Sequence, residues 1–417
     1  MKRLISLLLA ACLFAFSLPL FSSCKRENGE TVTLYVYNWG EYISDGSEGS
    51  LDVNAAFEEW YKETYGVNVE VNYSTFSSNE DMYAKLDSGA TSYDVVIPSD
   101  YMIARMIEEG MLRPLNFDNI PNAQYIDNEA LFQGQAPYYD TESAYSVPYT
   151  YGTIGIIYNT EMVDEQDIGS WDIMWNETYQ GNILQFNNSR DAFATALLKL
   201  GYSLNTKEEA EWRAALELLM TQKPIVQSYV MDEIFNKMEN GSAAIAPYYA
   251  GDFFTMYESN EDLAFFHPKE GTNVFVDAMC VPTASRNPEI AERYINFMLS
   301  EEAAIANAEY ICYASPNKLV KENADYIAAM QEIHPDAMEI LYDTQALPLQ
   351  FYENLPTEQL LLLNELWEDL KIESSINASI IIMACVIIGA TASMGIFFAV
   401  RKRRRKRYVD SLWSTAS

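Results

Sequence analysis

Val67, Val69, Val71 and Tyr73 alternate with polar residues, the period-2 pattern of a strand with one buried face. Just upstream, residues 54–65 repeat apolar positions at helical spacing. Phe57, Trp60 and Tyr61 fall on one face there, and Gly66 supplies a stop. A strand at Thr33–Tyr37 precedes this helix. Downstream the pattern predicts a helix over Met82–Leu86, a continuous apolar strand at Tyr93–Ile97, and a helix over Tyr101–Glu109 closed by Gly110. A second unit begins around Gly152, with a strand at Ile154–Tyr158, helices over Asp191–Leu200 and Glu208–Met220, and a buried segment at Ala243–Pro247. No repeat or low-complexity segment interrupts it. Strands alternating with helices predict an α/β fold with a mostly parallel sheet. Ligands of such sheets bind beyond the carboxyl ends of strands, so the loops after each strand are where a site is expected.

Two apolar runs differ from these amphipathic elements. Leu4–Leu20 follows Lys2 and Arg3 and precedes Ser22, Ser23 and Cys24, so residues 1–24 read as a secretory signal. Phe21-Ser22-Ser23-Cys24 resembles a bacterial lipobox, with Phe21 where the pattern prefers Leu. Leu9-Ala10-Ala11-Cys12 also fits, but cleavage there would leave too short an apolar region, and Cys24 is the expected lipidation site. The second run, Ile376–Val400, is 25 residues without a charge. At about 1.5 Å per residue it is long enough for a hydrocarbon core of about 30 Å, and predicts one transmembrane helix. Seven consecutive basic residues, Arg401–Arg407, follow it and place the 401–417 tail in the cytoplasm. The protein is therefore expected on the outer face of the cell membrane, on the periplasmic side of a diderm. The basic run is explained by topology and not by nucleic acid.

Length and composition change the picture in one respect. At 417 residues, with 49% hydrophobic and 13% aromatic side chains, the chain can bury two globular cores. Its charge is lopsided: 27 basic residues against 60 acidic ones, and only 18 against 59 between residues 25 and 375. Such a field concentrates small cations and repels polyanions. The general acidity of exported proteins explains the same balance, so charge supports a cationic ligand without deciding it. Cys280 and Cys312 are the two cysteines outside the terminal segments, and one disulfide or two buried thiols are both open.

The parts of common catalysts are missing. His267 and His334 are the sole histidines, and the sequence holds no HExxH, GxSxG, Walker-A, GxGxxG or CxxC motif. No metal site and no cofactor are expected. A glycosidase built on two carboxylates would need no histidine, and nothing in the sequence marks such a pair.

The loop Tyr37-Asn38-Trp39-Gly40-Glu41-Tyr42 follows the first strand directly and sets an aromatic, a glycine and a carboxylate at its carboxyl end. Further along stand Ser78-Asn79-Glu80, YDVVIPSDY at Tyr93–Tyr101, YSVPY at Tyr145–Tyr149, Trp171–Trp175, Lys199–Tyr202, Pro268-Lys269-Glu270-Gly271 and Tyr313–Asn317. In this order and spacing the chain resembles the spermidine/putrescine-binding proteins of polyamine ABC transporters over nearly all of residues 31–371.

The resemblance implies a type II periplasmic-binding-protein fold. One lobe would comprise 31–147 with 279–318 and the other 148–278 with 319–371. Hinge crossings near Val147–Gly152 and Asp277–Pro282 would let the lobes close on the ligand. It implies a polyamine, spermidine or putrescine, as ligand, the permease subunits as partners, and no chemistry on the ligand. A polyamine needs carboxylates at its ammonium groups and flat apolar walls along its methylenes, because an unpaired buried cation is prohibitive and aromatic faces attract cations by about 0.5–2 kcal/mol each.

Carried over position by position, the aromatic box resembles Trp39, Tyr42, Tyr101, Tyr249, Phe275 and Tyr313, with Ser99 beside them and Tyr352 from a later segment. Asp277 matches the ammonium partner. Asp191 stands for a family glutamate, Asn188 for a frequent aspartate, and Glu41 resembles an acid of putrescine-binding relatives. Gly40 replaces a hydroxyl-bearing residue and Phe275 a tryptophan. For each aromatic, core packing is the alternative. Asn188 before Ser189-Arg190-Asp191 reads equally as a helix N-cap with an acid at the third position. The carboxyl-terminal apolar run is a departure from the family. Rival functions are binding of another cationic or small organic solute, a membrane-linked sensor, and an enzyme acting on amines.

Overall fold

The computed structural model describes residues 31–132, 137–344 and 347–372. The signal with Cys24, the run 376–400 and the tail 401–417 lie outside the described residues. No helix among the described residues is long and apolar enough to cross a membrane.

Ten strands form one continuous sheet: β1 (Val32–Trp39), β2 (Val69–Phe76), β3 (Val95–Val96), β4 (Ser146–Asn159), β5 (Ile183–Phe186), β6 (Val226–Val230), β7 (Ile245–Tyr249), β8 (Leu263–Phe266), β9 (Thr272–Cys280) and β10 (Leu349–Phe351). The order is β2-β1-β3-β9-β4-β7-β5-β6, with β8 on β4 and β10 on β9. The helices that position the site are α1 (Val53–Tyr65), α2 (Asn79–Asp87), α3 (Asp100–Glu108), α4 (Ser189–Leu200), α5 (Glu209–Gln222), α6 (Ala250–Ser259) and α7 (357–372).

The expected mostly parallel sheet is corrected to a mixed one. β1 runs parallel to β2 and β3, β5 to β6 and β7, and β10 to β9. β9 is antiparallel to β3 and β4, and β4 is antiparallel to β7 and β8. The cause is directional. β4 carries the chain from the first half of the sheet to the second and β9 carries it back, so the two long strands oppose one another.

β4 runs unbroken through Gly152, where a second unit was expected to begin, and changes partners just beyond it. Residues 146–153 of β4 pair with β9 and residues 154–159 pair with β7 and β8, so a single strand belongs to both halves. Its register shifts between Pro148 and Thr150, where proline offers no N–H to the ladder. The strand predicted at Tyr93–Ile97 narrows to Val95–Val96. Asp94 accepts the Tyr35 N–H at 3.0 Å with its carboxylate, and Pro98 ends the run without a donor.

Alternation along the strands divides the core. Leu34 and Val36 pack with Phe57 and Tyr61 of α1 on one face of the first half, while Tyr37 packs with Met82, Met102 and Met106 on the other. The Asp52 carboxylate caps α1 by accepting from Ala55 N at 2.9 Å. The second half has its own core, in which Trp171, Trp212, Phe193 and Ile156 are fully buried. Cys280 and Cys312 are both free and buried, in different clusters, so of the two alternatives the chain has separate thiols.

Candidate functional site

Where the two halves face each other lies a cavity of about 880 Å³, counted to its open mouth. Loops after β1, β2, β3, β5, β6 and β7 reach it, together with side chains of β9. All twelve residues singled out from sequence line it: Trp39, Glu41, Tyr42, Ser99, Tyr101, Asn188, Asp191, Tyr249, Phe275, Asp277, Tyr313 and Tyr352.

The loop after β1 turns at Glu41, whose φ of 48° is left-handed for a residue with a side chain. The fully buried Asn38 steadies the turn, accepting from Trp39 N at 2.9 Å and donating to Tyr42 O at 3.2 Å. Tyr149 donates to the same carbonyl at 3.0 Å. So held, Tyr42 donates its hydroxyl proton to Asp277 Oδ2 at 2.7 Å and accepts from Thr150 at 2.6 Å. The Trp39 indole nitrogen is buried without a hydrogen-bond partner, and the ring packs on Phe76 at 4.5 Å.

Asp277 is 3% exposed, and its Oδ1 has no partner. Burial pushes its pKa up to about 6, against lowering by Ser99 and Tyr42, and Asp191 adds a repulsive charge. An orphaned buried acceptor of this kind costs stability and calls for a donor.

On the far wall Asn188 caps α4, accepting from Asp191 N at 2.8 Å and donating back to Asp191 Oδ2 at 2.7 Å. It is therefore an N-cap that also lines the cavity. Asp191 accepts from Tyr249 at 2.6 Å and from Tyr352 at 2.9 Å as well. Its acceptor positions are largely taken by the protein, and the carboxylate fixes two aromatic walls. Tyr101 donates to Glu80 Oε1 at 3.0 Å, while Asn79 donates to both Tyr101 and Ser99 at 3.1 Å.

The remaining walls are aromatic. Phe275 stands 5.4 Å from Tyr249 and 6.2 Å from Tyr313, and Tyr313 lies edge-on to Tyr42 at 5.1 Å. Glycine makes room for them: a Cβ on Gly152 would come within 2.9 Å of the Phe275 ring, and one on Gly251 within 2.1 Å of Tyr313.

Sequence reasoning missed four charged lining residues: Glu80, Arg190, Asp232 and Asp252. Three follow strand ends, four residues after β2, two after β6 and three after β7. Their position just beyond a strand end is the one signal the sequence holds for them, and it does not say which acid turns inward. Tyr313 donates to Asp252 Oδ2 at 2.9 Å, and burial, reinforced by Asp232 and Glu41, pushes the Asp252 pKa up to about 7. Burial raises those of Glu80 and Asp232 too.

Arg190 is buried and lies over the rings of Tyr352 at 4.5 Å and Tyr101 at 5.6 Å, donating to Asn205 Oδ1 and Glu353 O. Burial lowers its pKa. Six carboxyl groups thus face the cavity against one guanidinium, among the described residues. No group of three or more histidine, cysteine, aspartate or glutamate side chains among the described residues is arranged to hold a metal ion. Elevated carboxyl pKa values, an orphaned Oδ1 and aromatic faces suit an ammonium-bearing guest with apolar stretches between its charges.

Residues 55–332 match the pattern of the family described as bacterial extracellular solute-binding protein. The spermidine/putrescine-binding periplasmic protein of Salmonella typhimurium is 32% identical over 333 residues, covering 78% of this chain and 91% of its own length. A solved structure described as a spermidine/putrescine ABC transporter from Listeria monocytogenes is 34% identical with a TM-score of 0.70, covering 82% of this chain and 99% of that one. The Tp0655 lipoprotein of Treponema pallidum superposes with a TM-score of 0.65 at 26% identity, covering 81% and 99%. The two-lobe α/β architecture is that of periplasmic binding proteins, and the role is solute capture, not catalysis. The chain belongs to the bacterial extracellular solute-binding protein family.

Proposed function

We propose that this protein captures a polyamine, spermidine or putrescine, between its lobes and delivers it to the permease of an ABC importer. The observation that carries this reading is the surplus of carboxyl groups over cations in an aromatic cavity, centred on the unpartnered Asp277 Oδ1. A diammonium or triammonium guest supplies the missing positive charge, and the rings cover its methylenes. The spermidine/putrescine-binding name of the Salmonella relative supports the same ligand class.

In this reading Asp277 and Asp252 pair with ammonium groups, and Glu41 and Asp232 add negative charge at the mouth. Asn188 and Asp191 hold Tyr249 and Tyr352 in place. Residues 31–147 with 279–318 form one lobe and 148–278 with 319–371 the other. The crossings of β4 and β9 act as the hinge. Cys24 carries a lipid, residues 376–400 span the membrane once, and the basic tail lies in the cytoplasm.

Thermal melting of the protein with putrescine, spermidine, spermine, cadaverine or arginine tests the ligand, since a ligand bound only by the folded state raises the midpoint. Putrescine or spermidine should raise it at micromolar concentration. A shift with arginine alone would assign the cavity to another cationic solute. Asp277→Asn should weaken polyamine binding by about 2–5 kcal/mol, the usual loss when one partner of a buried charge pair is removed. Unchanged affinity by calorimetry would remove Asp277 from the site.

A further inference from the structure

Arg190 lines the cavity, is 5% exposed, and has no place in a site that binds only cations. Its Nη2 donates to Asn205 Oδ1 at 2.9 Å and to Glu353 O at 3.1 Å, while Nε and Nη1 have no hydrogen-bond partner among the described residues. No carboxylate among those residues lies within ion-pair distance of it. The rings of Tyr352 and Tyr101 attract its charge but accept from neither nitrogen. Buried donors left unpaired are costly, and a guest that brings an acceptor removes that penalty.

The acceptors beside Arg190 are already in use. Asp191 Oδ2 takes the side chains of Asn188 and Tyr249, and its Oδ1 takes Tyr352. Glu80 Oε1 takes Tyr101. Burial disfavours the charged guanidinium, and the fields of Glu80 and Asp191 partly offset this. This wall therefore holds a compensated charge with donors to spare.

The wall around Asp277 is the reverse. Its Oδ1 is buried without a partner, and Tyr42 leads from it to Tyr313 and Asp252. Tyr249 and Phe275, 5.4 Å apart, join the two walls. A guest that satisfies both carries an ammonium at one end and a hydrogen-bond acceptor at the other. A second ammonium at Arg190 would meet the guanidinium, and a carboxylate would enter a cavity that six carboxyls already face. A neutral carbonyl oxygen meets neither repulsion.

We infer that the cavity also takes a polyamine acylated at one end, its free ammonium at Asp277 and its acyl oxygen accepting from Arg190. This rests on the reading of the cavity as a polyamine site and names a second form of that ligand.

Calorimetry on the intact protein compares putrescine, spermidine, N-acetylputrescine, heptylamine and 6-aminohexanoate. Removing one partner of a buried charge pair usually costs at least about thirtyfold in affinity. N-acetylputrescine has lost one charge, yet should bind no more than about tenfold more weakly than putrescine, below that usual loss. A greater loss overturns the inference and leaves the polyamine reading intact. Heptylamine matches N-acetylputrescine in length but has no oxygen, and should bind at least about tenfold more weakly than it, the usual worth of a hydrogen bond to a charged group. A smaller difference refutes a role for the oxygen. Tighter binding of 6-aminohexanoate than of N-acetylputrescine would assign Arg190 to a carboxylate and overturn the neutral acyl group. If neither putrescine nor spermidine binds, the polyamine reading fails and the inference with it. Arg190→Gln should weaken N-acetylputrescine by at least about tenfold, and unchanged affinity removes Arg190 from the site. Where that variant does not fold, the heptylamine comparison on the native chain decides.

Discussion

Asp277 shows how one side chain serves both fold and ligand. Its Oδ2 is satisfied by Tyr42, its Oδ1 by nothing, and burial lifts its pKa to about 6. Asp252 is lifted to about 7. Both carboxyls hold protons more tightly folded than unfolded, so their contribution to the stability of the empty protein falls as pH rises from about 4 to about 7. A cationic ligand favours their ionised forms, so binding releases protons below pH 7. Polyamine affinity should then weaken about tenfold between pH 7.5 and 5, by linkage to Asp277 alone. Calorimetry in buffers of different ionisation heat checks this, and a pH-independent affinity would refute it. Asp277 was legible in the sequence because it sits in a motif with Phe275. Asp252, Asp232 and Glu80 were not, because they are ordinary acids until a strand end aims them inward. Arg190 was masked by its place in an N-terminal helical turn.

At the scale of elements, local signals named β1 to β4 and α1 to α5 without fixing how far each ran, gave β7 as a buried segment, and left β5, β6, β8, β9 and β10 unnamed. Gly66 ends α1 with φ 69°, as its position implied. Asn188 caps α4 and, through Asp191, anchors Tyr249 and Tyr352. Asn188→Ala should cost about 1 kcal/mol of stability, the usual value of an N-cap, and also loosen polyamine binding. Urea titration and calorimetry of the same variant check the pair. Loss of stability with full affinity would make Asn188 a cap alone. Gly251→Ala puts a Cβ 2.1 Å from the Tyr313 ring near its root, where the side chain has little freedom to move. A loss of about 1–3 kcal/mol is expected, the range for overpacking, together with weaker binding as Tyr313 is displaced. A fully stable variant with native affinity would show that α6 shifts instead. Neither close approach was legible, since a glycine in sequence does not say which ring lies against it.

For the whole molecule, the acidic surface should act on rate. Association of a polyamine should slow by about tenfold or more as ionic strength rises from about 0.01 to 0.5 M, because screening shortens the field while the cavity contacts persist. Stopped-flow tyrosine or tryptophan fluorescence checks this, and a salt-independent association rate would confine the role of the charge to solubility. By itself the sequence determined what depends on pattern and order: α/β alternation, a charge-free run followed by seven basic residues, the acidic balance, and the motifs that mark the family. Tertiary structure decided what depends on direction and distance. β4 and β9 became opposed crossings shared by both halves, Cys280 and Cys312 fell into separate cores, and six carboxyls converged on one cavity. Periodicity is a property of neighbours in the chain and survives in a string of letters. The encounter of Tyr42 with Asp277, 235 residues apart, exists only once the sheet is closed.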